Sequence, residues 1–426
     1  MTTIEVLDGG LLTTVQDLGR VGAQRFGVPV SGAMDTWSLR VANRLVGNPE
    51  EAAAIEITLV GPAMRFEGPG VIALAGADLA AQIDGRPAAT WQSHAIRSGA
   101  TLSFAGARDG MRAYLAVAGG IDVPLVLGSR STFVRSALGG FEGRALRAGD
   151  RVPVGRASVH GPAAGRSLPR DLVPSYGRSH TLRVVFGPQD DAFTEDGVRA
   201  FLEGPYAFAP ESDRVGCRLV GPRIAHRSGA DIVSDGTVFG AVQVTGDRLP
   251  IILMADRGTT GGYTKIATVA SVDVPRVAQA RPGDRVRFER VGVGEAQALL
   301  RDARARIERI GKDGSNDWAS SEVYDEDSGA PLVADAYLEL AHALAVRGAP
   351  GRGRANTVCA AMPGVVVSVA VRPGDPVATG QVLLVIEAMK MQSPVRAPRA
   401  GRVVRMHVSP GLAVNSGAAL VDLEDA

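Results

Sequence analysis

The 28 residues from Ala360 to Glu387 return, thinned but in order, 37 positions later. Gly364 falls on Gly401, Val366 and Val367 on Val403 and Val404, and Val371 on Val408. Pro373-Gly374 falls on Pro410-Gly411, Val377 on Val414, Gly380 on Gly417, Leu383 on Leu420 and Glu387 on Glu424. Such a duplication builds one core from two related copies. Each copy consists of short Val-rich runs cut by Pro-Gly and Gly turns, which reads as strands. The C-terminal segment is therefore expected to be a small β-barrel of two matching halves. The connector between the copies should sit at a hairpin tip on the pseudo-symmetry axis.

That connector reads Glu387-Ala388-Met389-Lys390-Met391. Of the 46 basic residues only Lys265, Lys312 and Lys390 are lysines. Arginine is always charged and cannot serve as an acylatable amine, whereas lysine can. A lysine kept between two methionines at an exposed tip has no folding benefit, so its amine is expected to be used. This segment, about residues 357–426, resembles the biotinyl (biotin carboxyl carrier) domain, a flattened β-barrel with its modified lysine in an Ala-Met-Lys-Met turn. Lipoyl domains share that fold but usually carry an Asp-Lys-Ala turn, absent here. The resemblance implies covalent biotin on Lys390, flanked by Met389 and Met391, and a biotin protein ligase that attaches it.

A chain of 426 residues is expected to hold two or three domains. With 53 glycines, 25 prolines and only 5% aromatic residues, it should be rich in tight turns and strands. A net charge of +1 gives no reason to expect nucleic acid or a membrane surface as partner. Cys217 and Cys359 fall in separate predicted domains, which argues against a disulfide and for a reducing cytoplasm. The N-terminus shows no basic region followed by an apolar run, and no stretch nears the ~18 apolar residues of a membrane-spanning helix.

Upstream of the repeat, residues 1 to about 290 are dominated by short apolar runs bounded by Gly, Pro and Asp. Val71–Ala75, Tyr114–Ala118 and Ile251–Met254 read as buried strands. One helix interrupts them, capped by Asp35, filled by Trp37–Val46 and ended by Gly47 and Pro49. Leu-Val-Gly-Pro occurs at 59–62 and 219–222, and Arg-x-Gly-Asp-Arg-Val at 147–152 and 281–286. In each case the first phrase precedes the second, which suggests two related β-barrel lobes, about 1–155 and 178–290. Helical spacing over Glu295–Ile310 predicts a helix that closes a first domain of about 1–310. Residues 311–356 read as a linker with a polar, acidic stretch (312–332), one helix (Val333–Arg347) and a Gly-rich hinge.

Polar clusters follow several of the apolar runs, where loops build sites. They are Thr14-Val15-Gln16-Asp17-Leu18-Gly19-Arg20, Ser31-Gly32-Ala33-Met34-Asp35, Ala118-Gly119-Gly120-Ile121-Asp122-Val123-Pro124, Leu127-Gly128-Ser129-Arg130-Ser131-Thr132 and Gly187-Pro188-Gln189-Asp190-Asp191. Asp256 to Lys265 is the densest, with an acid, an Arg, three threonines, a glycine pair, Tyr263 and a scarce Lys. In this order they resemble the urea carboxylase carboxyltransferase B-subdomain family. That family also holds the KipA proteins, known too as allophanate hydrolase subunit 2, and the C subunit of 5-oxoprolinase. Gly258 and Thr264 depart from the family pattern, where Gln and Pro are expected.

The resemblance implies cyclophilin-like β-barrel lobes and half of a carboxyltransferase site, completed by a KipI-like A subunit. Joined to a biotin carrier, it implies a subunit that transfers a carboxyl group from biotin to a small urea- or amide-like acceptor. ATP and bicarbonate would be used by a separate biotin carboxylase, since the chain shows no ATP-grasp domain or Walker loop. The alternative is the C subunit of an ATP-dependent 5-oxoprolinase-type amidohydrolase. The residues expected to stabilise the anion are Lys265, Arg257 or Arg130, with Asp256 and Tyr263 orienting groups or moving protons. Ser31 and Asp35 are expected to line the acceptor pocket. The six histidines show no metal-ligand spacing, so no metal is expected.

Overall fold

A computed structural model describes residues 3–157, 164–310, 357–360, 364–388, 391–414 and 418–424. The chain divides into two compact units, Met1–Glu322 and Val323–Ala426. The linker predicted over 311–356, with its helix and hinge, lies outside the described residues, as do Met389 and Lys390. The described elements are mainly β with four helices, α1 (Thr36–Leu45), α2 (Glu195–Glu203), α3 (Val274–Gln279) and α4 (Val293–Arg309).

The first unit holds two β lobes. In the first lobe, a six-stranded sheet built on Thr3–Asp8, Ala63–Phe66 and Thr101–Phe104 faces a five-stranded sheet built on Ala54–Thr58, Asp109–Val117 and Gly70–Asp78. The core between them is aliphatic, with Ile4, Val6, Ile55, Ile57, Met64, Leu74 and Leu115 all buried. The predicted runs at 71–75 and 114–118 lie in the two central strands of the second sheet, buried on both faces, which is why they read as continuous apolar stretches. Helix α1 covers the outer face of that sheet, packing Leu39, Val41, Ala42 and Leu45 on Ala73, Ala75, Tyr114 and Ala116. Asp35 caps it, accepting the Ser38 N–H at 2.9 Å.

The second lobe is a closed seven-stranded barrel in the order Ser179–Phe186, Lys265–Val269, Ala241–Val244, Pro250–Leu253, Gly216–Val220, Tyr206–Phe208, Arg285–Arg290. Closure removes exposed sheet edges. A separate two-stranded ribbon, Asp231–Gly236 with Thr260–Tyr263, belongs to this lobe.

In the carrier unit the sequence repeat becomes geometry. One four-stranded sheet runs Thr357–Cys359, Ala419–Glu424, Gly401–Met406, Pro376–Val377; the other runs Met391–Arg396, Val382–Ala388, Gly364–Val369, Ala413–Val414. A shift of 37 residues carries strands of the first copy onto those of the second, and so relates one sheet to the other. Each sheet also takes strands from both copies: Gly364 pairs with Val414, and Val377 with Gly401. The copies interlock, so neither can bury its valines alone. Pairing of Ala388 with Met391 leaves positions 389 and 390 as the whole connection between two strands.

The Arg-x-Gly-Asp phrase proves to be a turn. Asp150 accepts the Arg147 N–H at 2.9 Å, and Asp284 accepts that of Arg281 at 2.8 Å. The glycine and aspartate then exchange backbone hydrogen bonds with a facing strand, at Val6 in the first lobe and at Phe208 in the second. The carrier repeats the device with Arg372-Pro-Gly-Asp375 against Val403. A turn used in three barrels reports strand entry rather than lobe ancestry.

Candidate functional site

Three of the loops quoted above, Thr14–Arg20, Ser31–Asp35 and Leu127–Thr132, meet Asp256 where the two lobes of the first unit join. Gly19 and Gly32 cross there in left-handed conformations, with φ of +93° and +87°. A Cβ on Gly32 would stand 2.8 Å from the Gly19 nitrogen, so only glycine permits the crossing. It sets Ser31 beside the second lobe, itself at a φ of +57° that a non-glycine residue rarely adopts. The Ser31 hydroxyl lies 2.6 Å from Asp256 Oδ1 and 3.0 Å from the Thr132 carbonyl. It has one hydrogen, and the closer charged acceptor is the stronger partner.

Asp256 is held from the other side by Arg214, whose Nε donates to Oδ2 at 2.8 Å. Arg214 Nη1 pairs with Glu56, and Nη2 donates to the Gly32 carbonyl at 2.7 Å. Glu56 in turn accepts the Met34 N–H at 2.8 Å and the Tyr114 hydroxyl at 2.7 Å. Burial alone would push the Arg214 guanidinium down, but Glu56 and Asp256 more than reverse that, so it stays charged above its ordinary range. Burial pushes the Tyr114 hydroxyl well up, reinforced by Glu56, so it donates to that carboxylate as a neutral phenol.

Asp35 is fully engaged: Ser38 takes both oxygens, and the Gln279 amide donates to Oδ2 at 2.8 Å. Burial raises its pKa. Asp17 accepts from Ser129, Ser131, Gly19 and the Arg130 backbone N–H. The Arg130 guanidinium turns away, to the Val123 carbonyl at 2.8 Å and Asp122 at 3.0 Å.

The remaining predicted residues lie in the second lobe. Arg257 sits 5.5 Å over the Phe239 ring and donates to the Met254 carbonyl at 3.2 Å. Burial pulls its pKa down to about 10. Tyr263 ends a ribbon strand opposite Asp231 and is partly buried. Lys265 starts a barrel strand and is 2% exposed. Its Nζ lies 3.3 Å from Asp235 Oδ2 without a well-aligned hydrogen bond. Gln189 brackets its backbone, accepting the Lys265 N–H at 3.1 Å.

The structure thus joins Ser31 and Asp256 directly and links Asp35 to them through Tyr114, Glu56 and Arg214, whereas Lys265 faces Asp235 and Gln189. Sequence reasoning did not single out Glu56, Tyr114 or Gln279. Glu56 had a signal, a lone carboxylate inside the buried strand Ala54-Ile-Glu-Ile-Thr58. Arg214 had only a weak signal, a polar Ser212-Asp213-Arg214 stretch ahead of the second Leu-Val-Gly-Pro phrase. Two surface concavities, of about 510 and 460 Å³, lie elsewhere, one lined by Trp91, Arg108 and Tyr176, the other by Phe186, Asp190 and Arg290. Among the described residues no cluster of His, Cys, Asp or Glu could hold a metal ion, and no helix is long and apolar enough to cross a membrane.

A two-lobed β body with a polar seam, in one chain with a two-fold-repeated carrier barrel, defines a carboxyltransferase-type component with its own biotin-type carrier. The chain belongs to the carboxyltransferase domain family, subdomain A and B, whose model matches residues 26–290. A second family model, described as biotin-requiring enzyme, matches residues 356–423. The chain is 36% identical over 312 residues to the C subunit of 5-oxoprolinase from Escherichia coli, covering 72% of this chain and 97% of that protein. The crystal structure of Kluyveromyces lactis urea carboxylase matches 74% of this chain at 33% identity with a TM-score of 0.69, and this chain spans 30% of that one. The carrier region is 52% identical over 69 residues to the mouse mitochondrial propionyl-CoA carboxylase alpha chain, covering 16% of this chain and 10% of that one. The protein is a biotin-dependent carboxyltransferase-like component related to both urea carboxylase and the C subunit of 5-oxoprolinase.

Proposed function

We propose that this chain moves a carboxyl group from biotin on Lys390 to a small urea- or amide-like acceptor. The observation that carries this is the presence of both parts in one chain, the carboxyltransferase body and the carrier with Ala388-Met389-Lys390-Met391. The carrier suits such a group: Ala388 and Met391 pair across two strands, and the sequence between them is Met389-Lys390, which supplies an acylatable amine. Biotin, when attached, supplies a nitrogen that carries the carboxyl group between sites. A separate biotin carboxylase loads it with ATP and bicarbonate. A KipI-like partner completes the transfer site, and a biotin protein ligase attaches the group.

Within this chain, anion stabilisation falls to Lys265, with Arg257 a second buried cation. Asp256 holds the Ser31 hydroxyl toward the seam, and Tyr263 borders the Lys265 strand as the candidate proton carrier. Both oxygens of Asp35 are committed to the frame, and the Arg130 guanidinium is turned to the Val123 carbonyl and Asp122, so we assign them to support.

The test is intact mass after co-expression with the biotin ligase, beside Lys390→Arg, then carboxyl transfer to urea with both partner proteins present. One added biotin, lost in the variant, and biotin-dependent transfer are expected. A chain that stays unmodified beside an active ligase would sink this reading. It would also favour the hydrolase role of the 5-oxoprolinase relative, which aligns over nearly its whole length.

A further inference from the structure

Gln243 and Lys265 are directly paired across neighbouring barrel strands, so their side chains project to the same face. They are 7% and 2% exposed. Neither Gln243 Nε2 nor Lys265 Nζ has a hydrogen-bond partner among the described residues. Buried donors are nearly always satisfied, and a pair left open side by side points to something that enters. Gly261 packs directly on the carboxamide: a Cβ there would stand 2.5 Å from Gln243 Nε2, so glycine is what lets Gln243 keep this position. Directly opposite Gly261 on the ribbon is Asp235, whose side chain is 54% exposed. Its Oδ2 reaches toward Lys265 Nζ at 3.3 Å and lies 3.4 Å from Gln189 Nε2.

A half-exposed aspartate reaching in toward a buried lysine, without a well-aligned bond, marks where a carboxylate fits. We propose that Lys265 and Gln243 form a carboxylate subsite whose internal occupant is Asp235. An incoming planar carboxylate displaces the Asp235 side chain toward solvent and accepts hydrogen bonds from Nζ and the carboxamide. Gln189 stays behind Lys265, its Oε1 on the lysine's backbone N–H. The assignment rests on the proposed function only in naming the ligand as the carboxyl group in transfer; the subsite itself stands on the donors and on Asp235.

Because the chain has three lysines, acetylation of the full-length protein followed by peptide mass spectrometry reads Lys265 separately, with Lys312 as internal reference. The probe is sodium bicarbonate against sodium chloride at equal ionic strength and pH 8. Bicarbonate should slow Lys265 acetylation at least about threefold and leave Lys312 unchanged, the size expected of a charge-assisted contact. Gln243→Leu should weaken that protection, and Asp235→Asn should bring half-protection to a severalfold lower bicarbonate concentration. Equal slowing of both lysines, or protection that survives Gln243→Leu undiminished, overturns the subsite. If burial keeps Lys265 unlabelled throughout, broadening of the 13C-bicarbonate resonance decides the matter: more in wild type than in Lys265→Met supports the subsite, equal broadening overturns it. None of these readouts needs biotin or a partner protein. Protection without any carboxyl transfer therefore removes the proposed function and leaves the subsite, whereas transfer that survives in Lys265→Met removes the subsite from the reaction.

Discussion

Two buried charged groups in the same unit are treated in opposite ways. At the seam, every nitrogen of the Arg214 guanidinium has a partner, shared among Asp256, Glu56 and the Gly32 carbonyl. In the second lobe Lys265 is as deeply buried, yet among the described residues its Nζ has one loosely placed carboxylate and no aligned hydrogen bond. A closed network resists change and fixes how the lobes meet; an open one keeps its electrostatic energy for a ligand. Burying a charge costs several kcal/mol unless its bonds are complete. Completion at Arg214 is therefore architectural, and its lack at Lys265 is a cost that stability alone would not retain. The contrast assigns framework to one cluster and chemistry to the other.

The sharpest way to break this contrast is Arg214→Met. It leaves Glu56 and Asp256 as uncompensated buried carboxylates, so the first unit should lose about 3–5 kcal/mol. Trp37 and Trp91, whose rings lie 5.4 Å apart beside the first lobe's sheet, report its unfolding in urea by fluorescence. A loss below about 1 kcal/mol would mean that the seam is not held by this ion network.

Gln279→Ala should cost less, about 1–3 kcal/mol. Its side chain donates to Asp35 and to the Arg112 carbonyl and accepts from the Met111 and Arg112 N–H groups, so one residue of α3 satisfies four groups of the first lobe. The same urea titration checks it, and Gln279→Glu, which sets a second carboxylate on Asp35, should be no better than alanine. Lys265→Met completes the contrast. Replacing an incompletely bonded buried cation by an apolar chain of similar length should leave the urea midpoint unchanged or raise it. Carboxyl transfer should be lost all the same. A large stability loss at Lys265 would place it with Arg214 in the framework.

How legible these two clusters were differs for a physical reason. The carrier could be read strand by strand, because a 37-residue repeat of Val and Gly leaves few ways to bury its valines. The central strands of the first lobe and helix α1 were equally plain, one from continuous apolar runs, the other from Asp35 and Gly47 at its ends. Lys265 stood out through scarcity. The seam did not, because Glu56, Arg214 and Gln279 are separated by up to 223 residues and acquire meaning only when two barrels meet. Gln243 and Asp235 are ordinary residues in ordinary strands; only a cross-strand register sets one beside Lys265 and the other opposite Gly261. The recurrence of Arg-x-Gly-Asp suggested paired lobes, but its third use in the carrier shows that a local turn can imitate a duplication.

The smallest expected effect is on pH, and it separates a third buried group from both clusters. His180 is buried edge-on to Phe208, its Nε2 3.5 Å from Asp284 Oδ2, in the barrel far in sequence from Lys265. Burial lowers its pKa below the ordinary 6.5, with Arg276 in the same sense, and Asp284 and the more distant Asp109 only partly offset this. The unfolded chain therefore takes up a proton at a pH where the folded chain does not. Stability from this residue is full above pH 6.5 and is lost as the pH falls below it, toward the folded pKa. His226, shifted the same way by burial, adds to the slope. Melting temperature should fall between pH 7.5 and 5.5, and His180→Gln should flatten part of that fall while lowering the value at pH 7.5 only slightly. If the variant keeps the full slope, His180 is protonated in the folded protein and belongs with the satisfied ion pairs of the seam rather than with the uncharged core.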